Sequence, residues 1–232
     1  MKEIFKYGEK EVMHLRRVDP ALGAVMEQLG PIERGVIPDL FAALVSSIVA
    51  QQISTKAAET VWQRLLAYCG GVVTPQSIVA ASVEGIHQQG LSMRKATYIK
   101  EAAEKVLSGE LDIKALEILS DEEVCERLSA LRGIGVWTAE MLMTFSLQRP
   151  NILSFGDLAI HRGLRMLHRH RSIDKDKFEQ YRRRYAPYNT VAAMYLWAIA
   201  GGACGLTDPA PKTEAKKKQL RKAAKRQKGA KD

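Results

Sequence analysis

The stretch LRGIGVWTAEMLMTF, residues 131–145, decides the fold. Two glycines, Gly133 and Gly135, lie between the apolar residue Leu131 and a run of mostly apolar residues, 136–145, with Ile134 separating them. The segment before them, 120–131, opens with the Ser-x-x-Glu signature of a helix start and then places its apolar residues on one helical face. The pattern predicts two helices joined by a short glycine-containing turn.

Spacing around these glycines, with Thr138-Ala139 after them, matches the helix-hairpin-helix pattern. Without a Cβ, Gly133 and Gly135 allow a tight turn whose amides can approach a phosphate oxygen. The second helix adds its unpaired amides and the positive end of its dipole. Such contacts are blind to base sequence. The alternative is a plain helical connection with glycine as a C-cap, but the full pattern favours phosphate binding.

Apolar residues recur at helical spacing along the rest of the chain, beginning with Leu40, Leu44 and Ile48. No convincing alternating strand occurs, so the prediction is an all-α protein of about ten helices. The sequence favours further helices over these segments: 57–65, 74–88, 94–107, 121–131, 136–145, 158–168, 174–185 and 190–200.

Composition narrows the class of protein. The chain has 232 residues, 46% hydrophobic and 26% charged, which is typical of a globular protein. Its three cysteines, Cys69, Cys125 and Cys204, are too far apart for a disulfide framework, so we expect a reducing, cytoplasmic setting. The apolar run 191–200 is about half the ~20 residues that a membrane span needs, so no membrane partner is expected.

Positive charge is concentrated at the carboxyl terminus. Residues 212–232 contain ten Lys or Arg and two acidic residues, whereas residues 1–211 carry a net charge of only +1. Such a segment buries too little apolar surface to order itself, so we expect it to be disordered when free. It suggests attraction to a polyanion; a solubilising tail is the alternative.

A second chemical feature lies downstream of the glycines. Asp157 occupies the position just before the apolar helix 158–168, within the stretch SFGDLAI of residues 154–160. On its own, an aspartate in this place is usually only a helix N-cap.

The hairpin and the later aspartate together resemble the HhH-GPD superfamily of DNA glycosylases, and within it the 3-methyladenine DNA glycosylase II branch. Further matching stretches are AQQIS at 50–54, GLSMRKATYI at 90–99, FGDLAIHRGL at 155–164 and YLWAIAG at 195–201. The resemblance covers about residues 10–205, in a compact form without the extra amino-terminal domain of some relatives.

This resemblance implies two helical lobes with the active-site cleft between them. A six-helix bundle, residues 38–146, would carry the helix-hairpin-helix. A second bundle, residues 1–37 plus 147–211, would carry Asp157, and 212–232 would be a basic disordered tail.

The implied activity is that of a monofunctional DNA N-glycosylase, which flips alkylated purines out of double-stranded DNA and hydrolyses the N-glycosidic bond. Asp157 would be catalytic. The base pocket would be formed by Trp137, Trp197 and Met141. The DNA-contacting residues would be Gln51, Gln52, Gly133, Gly135, Thr138, Arg94 and Lys95, with Gln52 filling the vacated base stack. The carbonyls of Ser129, Leu131 and Ile134 would offer a site for a sodium or potassium ion.

Three departures from related branches shape these expectations. Trp137 stands where the endonuclease III branch has a lysine that forms a Schiff base, so no lyase activity is expected. The isolated Cys204 replaces the four clustered cysteines of an iron–sulfur cluster, so no such cluster and no required cofactor are expected. Met141 replaces a common aromatic residue, which bears on substrate range.

Two other functions remain open at this point. The chain could be a glycosylase for oxidised or deaminated bases, or a non-catalytic module that kept the hairpin and lost the chemistry. The retained Asp157 argues against the second. We expect a monomer in the cytoplasm, associated with the nucleoid through DNA.

Deleting residues 212–232 tests whether the basic segment binds DNA. If its lysines and arginines neutralise backbone phosphates, the deletion should weaken binding to all sequences alike. It should also flatten the salt dependence, by roughly 0.9 log units per log salt for each phosphate that is no longer neutralised. Affinities of full-length and truncated protein, measured at several salt concentrations, decide this. Superimposable slopes would show a solvated appendage only.

Overall fold

A computed structural model describes residues 3–210; the basic segment 212–232 lies outside them. Within this range the chain forms twelve α-helices and a short 3₁₀ turn, Ala115–Glu117. The helices are α1 (Glu9–Val18), α2 (Pro20–Leu29), α3 (Leu40–Ala50), α4 (Thr55–Tyr68), α5 (Pro75–Ala80), α6 (Val83–Gln88), α7 (Met93–Leu107), α8 (Asp121–Ser129), α9 (Val136–Phe145), α10 (Leu158–His168), α11 (Lys175–Tyr185) and α12 (Asn189–Ala200).

The all-α prediction is confirmed. The one β-type contact within residues 3–210 is an isolated bridge between Ile4 and Gly35. No helix in this range is long and apolar enough to cross a membrane.

Helix number differs from the prediction of about ten. The predicted helix 74–88 is two helices, because the chain extends at Ala81 and Ser82 and the Ser82 side chain caps α6. The hairpin-bearing part, 38–146, therefore has seven α-helices rather than six. Helices α1 and α2, for which the sequence pattern gives no separate bounds, complete the total.

Buried side chains form two clusters. The central core runs from Leu40 to Ile152 and joins helices α3–α9. The terminal core joins residues 5–36 to residues 153–199, and so combines α1 and α2 with α10–α12. The chain passes from one core to the other between Ile152 and Leu153, a few residues beyond the predicted boundary at 146. The division into lobes stays a prediction.

Within the terminal core, α10 and α12 pack at the closest approach that backbones allow. A Cβ on Gly163 of α10 would lie 2.4 Å from the carbonyl oxygen of Leu196 in α12. A larger residue would therefore push the helices apart. Because Trp197 follows Leu196 in α12, this contact also fixes the position of Trp197 relative to α10.

A buried carboxylate ties α2 to α10 and α11. Asp19 is 2% exposed, caps α2 through the Leu22 amide at 3.1 Å, and accepts the Tyr185 hydroxyl at 2.8 Å. His168 Nε2 lies 3.1 Å from the same carboxylate. Burial by itself would raise the pKa of Asp19, but these hydrogen bonds prevail and lower that pKa to about 2.

Replacing Asp19 with Asn should show how much the ionised carboxylate contributes to the free energy of unfolding. Because the folded-state pKa lies below that of the unfolded chain, about 3.9, the carboxylate stabilises the fold above pH 4 and the effect disappears as pH falls to about 2. We expect urea unfolding at pH 7 to show a loss of up to about 2 kcal/mol for Asp19→Asn, shrinking toward zero in acid.

Asp39→Asn is the matched control, since Asp39 also caps a helix, through the Ala42 amide, but is exposed. It should cost less than about 1 kcal/mol. An Asp19→Asn deficit that stays constant down to pH 2 would contradict the assignment.

Candidate active site

Asp157 is the N-cap of α10 and is only 7% exposed. Its Oδ1 accepts the amides of Ala159 at 2.8 Å and Ile160 at 3.0 Å. Asp157 is therefore a helix N-cap, as its position in the sequence allowed. Capping uses only one of the two carboxylate oxygens.

The other oxygen, Oδ2, receives two tryptophan side chains. Trp137 Nε1 donates to it at 3.0 Å and Trp197 Nε1 at 3.2 Å. Both residues predicted to line the base pocket thus meet at the predicted catalytic carboxylate, although by their indole N–H edges. Charge-assisted bonds of this kind, at a helix N-terminus, stabilise the ionised carboxylate.

The loop that carries Asp157 is anchored on both sides. Ser154 is fully buried and its hydroxyl donates to Glu140 of α9. From α11, Arg182 Nη2 donates to the Leu153 carbonyl at 3.1 Å. Burial raises the pKa of Glu140, and the nearby charge of Asp157 acts in the same direction, against Ser154 and Arg182.

Sequence reasoning missed Glu140 and its partners. The available signal was that Glu140 is the one charged residue in the otherwise uncharged segment VWTAEMLMTF. A carboxylate in an apolar helix needs a partner when it is buried, and here the partner, Ser154, belongs to the loop that precedes Asp157.

The carboxyl-terminal half of α9 borders a small apolar cavity, which Met141 and Phe145 line and Trp137 does not. Trp137, Met141 and Phe145 follow one another at four-residue spacing, and the Phe145 ring centroid lies 5.6 Å from that of Trp197. The cavity measures about 210 Å³ and is lined by Met141 and Phe145 on one side and α3 on the other. Its remaining lining residues are Gly35, Ile37, Ala43, Ser46, Ser47, Ala50, Leu142 and Ser146.

A larger cavity, about 430 Å³, contacts other residues of α8 and α9. Its charged lining is mainly acidic, with Asp121, Glu122, Glu126 and Glu140 against Arg182. Carboxylates repel phosphates, so this cavity is poorly suited to a nucleic acid.

The two glycines in the hairpin turn between α8 and α9 differ in backbone conformation and in the space around them. Gly133 has φ +86°, and a Cβ there would lie 2.3 Å from Cδ2 of Tyr98 in α7. Gly135 has ordinary backbone angles and open space around it. As the N-cap of α9, Gly135 offers no capping side chain, so the first-turn amides stay available to an anion.

Thr138, predicted to contact DNA, is only 9% exposed. Any contact it makes in this arrangement must come from its amide in the first turn of α9. Arg94, by contrast, is exposed at the start of α7, as a phosphate contact requires.

The end of α3 places Gln51 and Gln52 beside the hairpin. Gln51 Nε2 donates to the Gly133 carbonyl at 2.7 Å, and Gln52 is exposed with φ +57°. Lys95 is one of the residues predicted to contact DNA. In the structure its ammonium donates to the carbonyls of Val49 and Gln51, so its hydrogen bonds are made within the protein.

The predicted site residues therefore fall into two groups joined by α9. Around the carboxylate and the cavity lie Asp157, Trp137, Trp197 and Met141. Around the hairpin lie Gln51, Gln52, Gly133, Gly135, Arg94 and Lys95. The amino terminus of α9 lies in the hairpin group. The following turns of α9 lie in the group around the carboxylate and the cavity.

The three carbonyls predicted to hold an ion differ in availability. Among residues 3–210, no backbone amide outside helical pairing donates to the carbonyl of Ser129 or Ile134, whereas the Leu131 carbonyl accepts the Ile134 amide at 3.1 Å. Free carbonyl oxygens fit the preference of a hard monovalent cation for oxygen ligands.

Comparison with known proteins places the chain among DNA repair enzymes. A family model, the HhH-GPD superfamily base excision DNA repair protein, matches residues 45–187. DNA-3-methyladenine glycosylase 1 of Schizosaccharomyces pombe is 37% identical over 161 residues, 68% of this chain and 71% of that protein.

Solved structures agree with this result. The crystal structure of a DNA-3-methyladenine glycosidase from Bacillus halodurans superposes with a TM-score of 0.79 at 39% identity, covering 88% of this chain and 94% of that one. A 3-methyladenine DNA glycosylase from S. pombe, in complex with abasic DNA, gives a TM-score of 0.72 at 32% identity over 83% and 97% of the two chains.

The two hairpin glycines should respond differently to alanine. Gly133→Ala places a methyl group against Tyr98 in a backbone region that alanine disfavours, so we expect a loss of about 1–3 kcal/mol in urea unfolding. Gly135→Ala should stay within about 0.5 kcal/mol, because nothing obstructs the added Cβ. Equal losses at both positions would contradict the turn geometry.

Proposed function

The chain belongs to the HhH-GPD superfamily of base excision DNA repair proteins, and from that premise we propose that it excises alkylated purines, of the 3-methyladenine and 7-methylguanine type, from double-stranded DNA. The reaction is hydrolysis of the N-glycosidic bond, as in the relatives named 3-methyladenine DNA glycosylases.

One observation carries this proposal: the Asp157 carboxylate, hydrogen-bonded by both Trp137 and Trp197 at the start of α10. A fixed, water-poor negative charge suits a reaction in which positive charge develops, because it needs no reorganisation at the moment of reaction. Cleavage of a glycosidic bond develops such charge on the sugar.

The substrate nucleotide must leave the helix first, since its glycosidic bond is inaccessible inside a duplex. In our proposal the hairpin amides grip a backbone phosphate while Gln52 fills the vacated stack. The base enters the cleft beside Trp137, Met141 and Phe145. The cavity of about 210 Å³ is the space available for it next to α3.

In this proposal the positive charge on an alkylated base distinguishes it from an unmodified purine. Trp137 is 49% exposed, so its ring is accessible to an incoming base. An electron-rich indole face favours a cation by about 0.5–2 kcal/mol, and so prefers a methylated purine over a neutral one. The cavity lining is mostly apolar, and two of its three serines, Ser47 and Ser146, already donate to backbone carbonyls. This lining supports recognition by charge and shape.

Alkylation at N3 or N7 also makes the base a good leaving group, so no strong general acid is needed. An ionised carboxylate has about four lone-pair sites, and four N–H donors already occupy those of Asp157. We therefore assign Asp157 mainly to electrostatic stabilisation of the cationic sugar, with water as the nucleophile. Trp137 has no amine to form a Schiff base, in accord with hydrolysis alone.

No cofactor is part of this proposal. A sodium or potassium ion at the carbonyls of Ser129, Leu131 and Ile134 would add positive charge next to the phosphate-binding turn. We further propose that the protein acts as a monomer in the cytoplasm, on nucleoid DNA.

Asp157→Asn tests the function directly. It keeps the shape of the side chain and removes its charge, so release of methylated bases should fall at least ~100-fold, about 2.7 kcal/mol, with DNA binding retained. The measurement is single-turnover base release from duplexes carrying 7-methylguanine, with an oxidised and a deaminated base alongside.

Asp174→Asn is the matched control, because Asp174 is an exposed N-cap, of α11, bonded to the Lys177 amide at 2.8 Å. It should excise at the normal rate. Preferred release of the oxidised or deaminated base would support the second kind of glycosylase, and no release at all would indicate a non-catalytic module.

A further inference from the structure

The turn that carries Gln52 is held in an unusual conformation. Gln52 has φ +57°, which costs a non-glycine residue about 1 kcal/mol or more. Such a conformation persists only where surrounding contacts enforce it. Two side chains, Lys95 and Gln51, form hydrogen bonds at the residues next to Gln52.

Lys95 reaches from α7 to the carboxyl end of α3. Its ammonium donates to the carbonyl of Val49 at 2.9 Å and to that of Gln51 at 2.6 Å. These carbonyls end the helix and lack helical partners, so a lysine there acts as a C-cap. Desolvation, with help from the adjacent Arg94, lowers the pKa of Lys95, as expected for an ammonium facing carbonyls rather than water.

Gln51 continues the connection to the hairpin. Its side-chain amide donates to the Gly133 carbonyl at 2.7 Å. Gly133 in turn rests on the ring of Tyr98, which lies one turn after Lys95 in α7. The Arg132 guanidinium, 5.1 Å from the Tyr98 ring centroid, covers the same side chain. Helix α7 therefore supports both the Gln52 turn and the hairpin.

We propose that Lys95 and Gln51 are positioning residues, which fix the distance between the Gln52 turn and the phosphate-binding hairpin. The inference rests on the proposed function. In a duplex, the spacing between a base step and the flanking phosphates is set by the DNA, so both elements must fit it at once. A displacement of about 1 Å can cost up to 10²-fold in rate.

This role differs from a direct contact between Lys95 and DNA. A phosphate contact by Lys95 would contribute to counterion release, whereas a lysine that caps α3 would not. Its exposed neighbour Arg94 is free to make such a contact. Removal of Lys95 should therefore lower the salt slope if the lysine contacts a phosphate, and leave it unchanged if the lysine caps α3.

The chain offers a matched control. Lys100, also in α7, donates to the carbonyls of Ile78 and Ala81 at the end of α5, 3.4 and 2.8 Å away. It is the same kind of cap, away from the hairpin and Gln52. Loss of either lysine should reduce stability, but only loss of Lys95 should affect base flipping.

The experiment is single-turnover excision at saturating full-length protein, with 7-methylguanine opposite cytosine or opposite thymine. For Lys95→Met we expect the rate with cytosine to fall about tenfold. Opposite thymine the fall should be below about threefold, since a mismatched base is cheaper to flip. Lys95→Arg should restore most of the rate, and Lys100→Met should match wild type on both duplexes.

Salt dependence gives a second readout. Lys95→Met should keep the wild-type slope of log affinity against log salt, while Arg94→Met should lower it by roughly 0.9. Gln51→Met, at a half-exposed side chain, should reproduce the selective defect even where Lys95→Met fails to fold. Combined with Lys95→Met, its effect should be less than additive, because both act on one connection.

Several results would overturn the inference. These are equal defects on both duplexes, a defect in Lys100→Met of the same size, normal excision by Gln51→Met, or a flattened salt slope in Lys95→Met. Absence of base release by wild-type protein on either duplex is a different result, which would contradict the proposed function itself.

Discussion

The interaction on which the site depends is the burial of one carboxylate, Asp157. A buried charge is tolerated only when it is fully hydrogen-bonded, and its donors come from three different helices. Two are amides of α10, one is Trp137 of α9 and one is Trp197 of α12. The site is therefore complete only when the central core and the terminal core are both in place.

This requirement explains why contacts remote from the carboxylate matter. Gly163 lets α12 approach α10 closely enough for Trp197 to reach Asp157. Glu140 and Arg182 hold the loop before Asp157 from either side. Asp19 joins α2 to the far end of α10 and to α11. Together these contacts restrict how the helices around Asp157 can move relative to one another.

Sequence patterns predicted what depends on local chemistry. The glycine spacing located the hairpin, and a helix start after Asp157 located the carboxylate. They could not predict that Trp137 and Trp197 meet at one oxygen, because this depends on how helices from two cores pack. Lys95 illustrates the same limit: its charge suggested a phosphate contact, whereas its ammonium lies on carbonyls 44 and 46 residues away in the chain. The break between α5 and α6 was missed because Ser82 is both a tolerated helical residue and a good N-cap.

The central claim is that Asp157 provides a preorganised negative charge for a cationic sugar. Its most direct test is the affinity for duplex DNA in which the target nucleotide is replaced by a pyrrolidine, protonated at the position of the anomeric carbon, compared with an uncharged tetrahydrofuran. The account predicts that the protein binds the cationic analogue at least ~100-fold more tightly, as for a transition-state mimic, and that Asp157→Asn abolishes this preference. Equal affinity of the wild-type protein for the two analogues would contradict it.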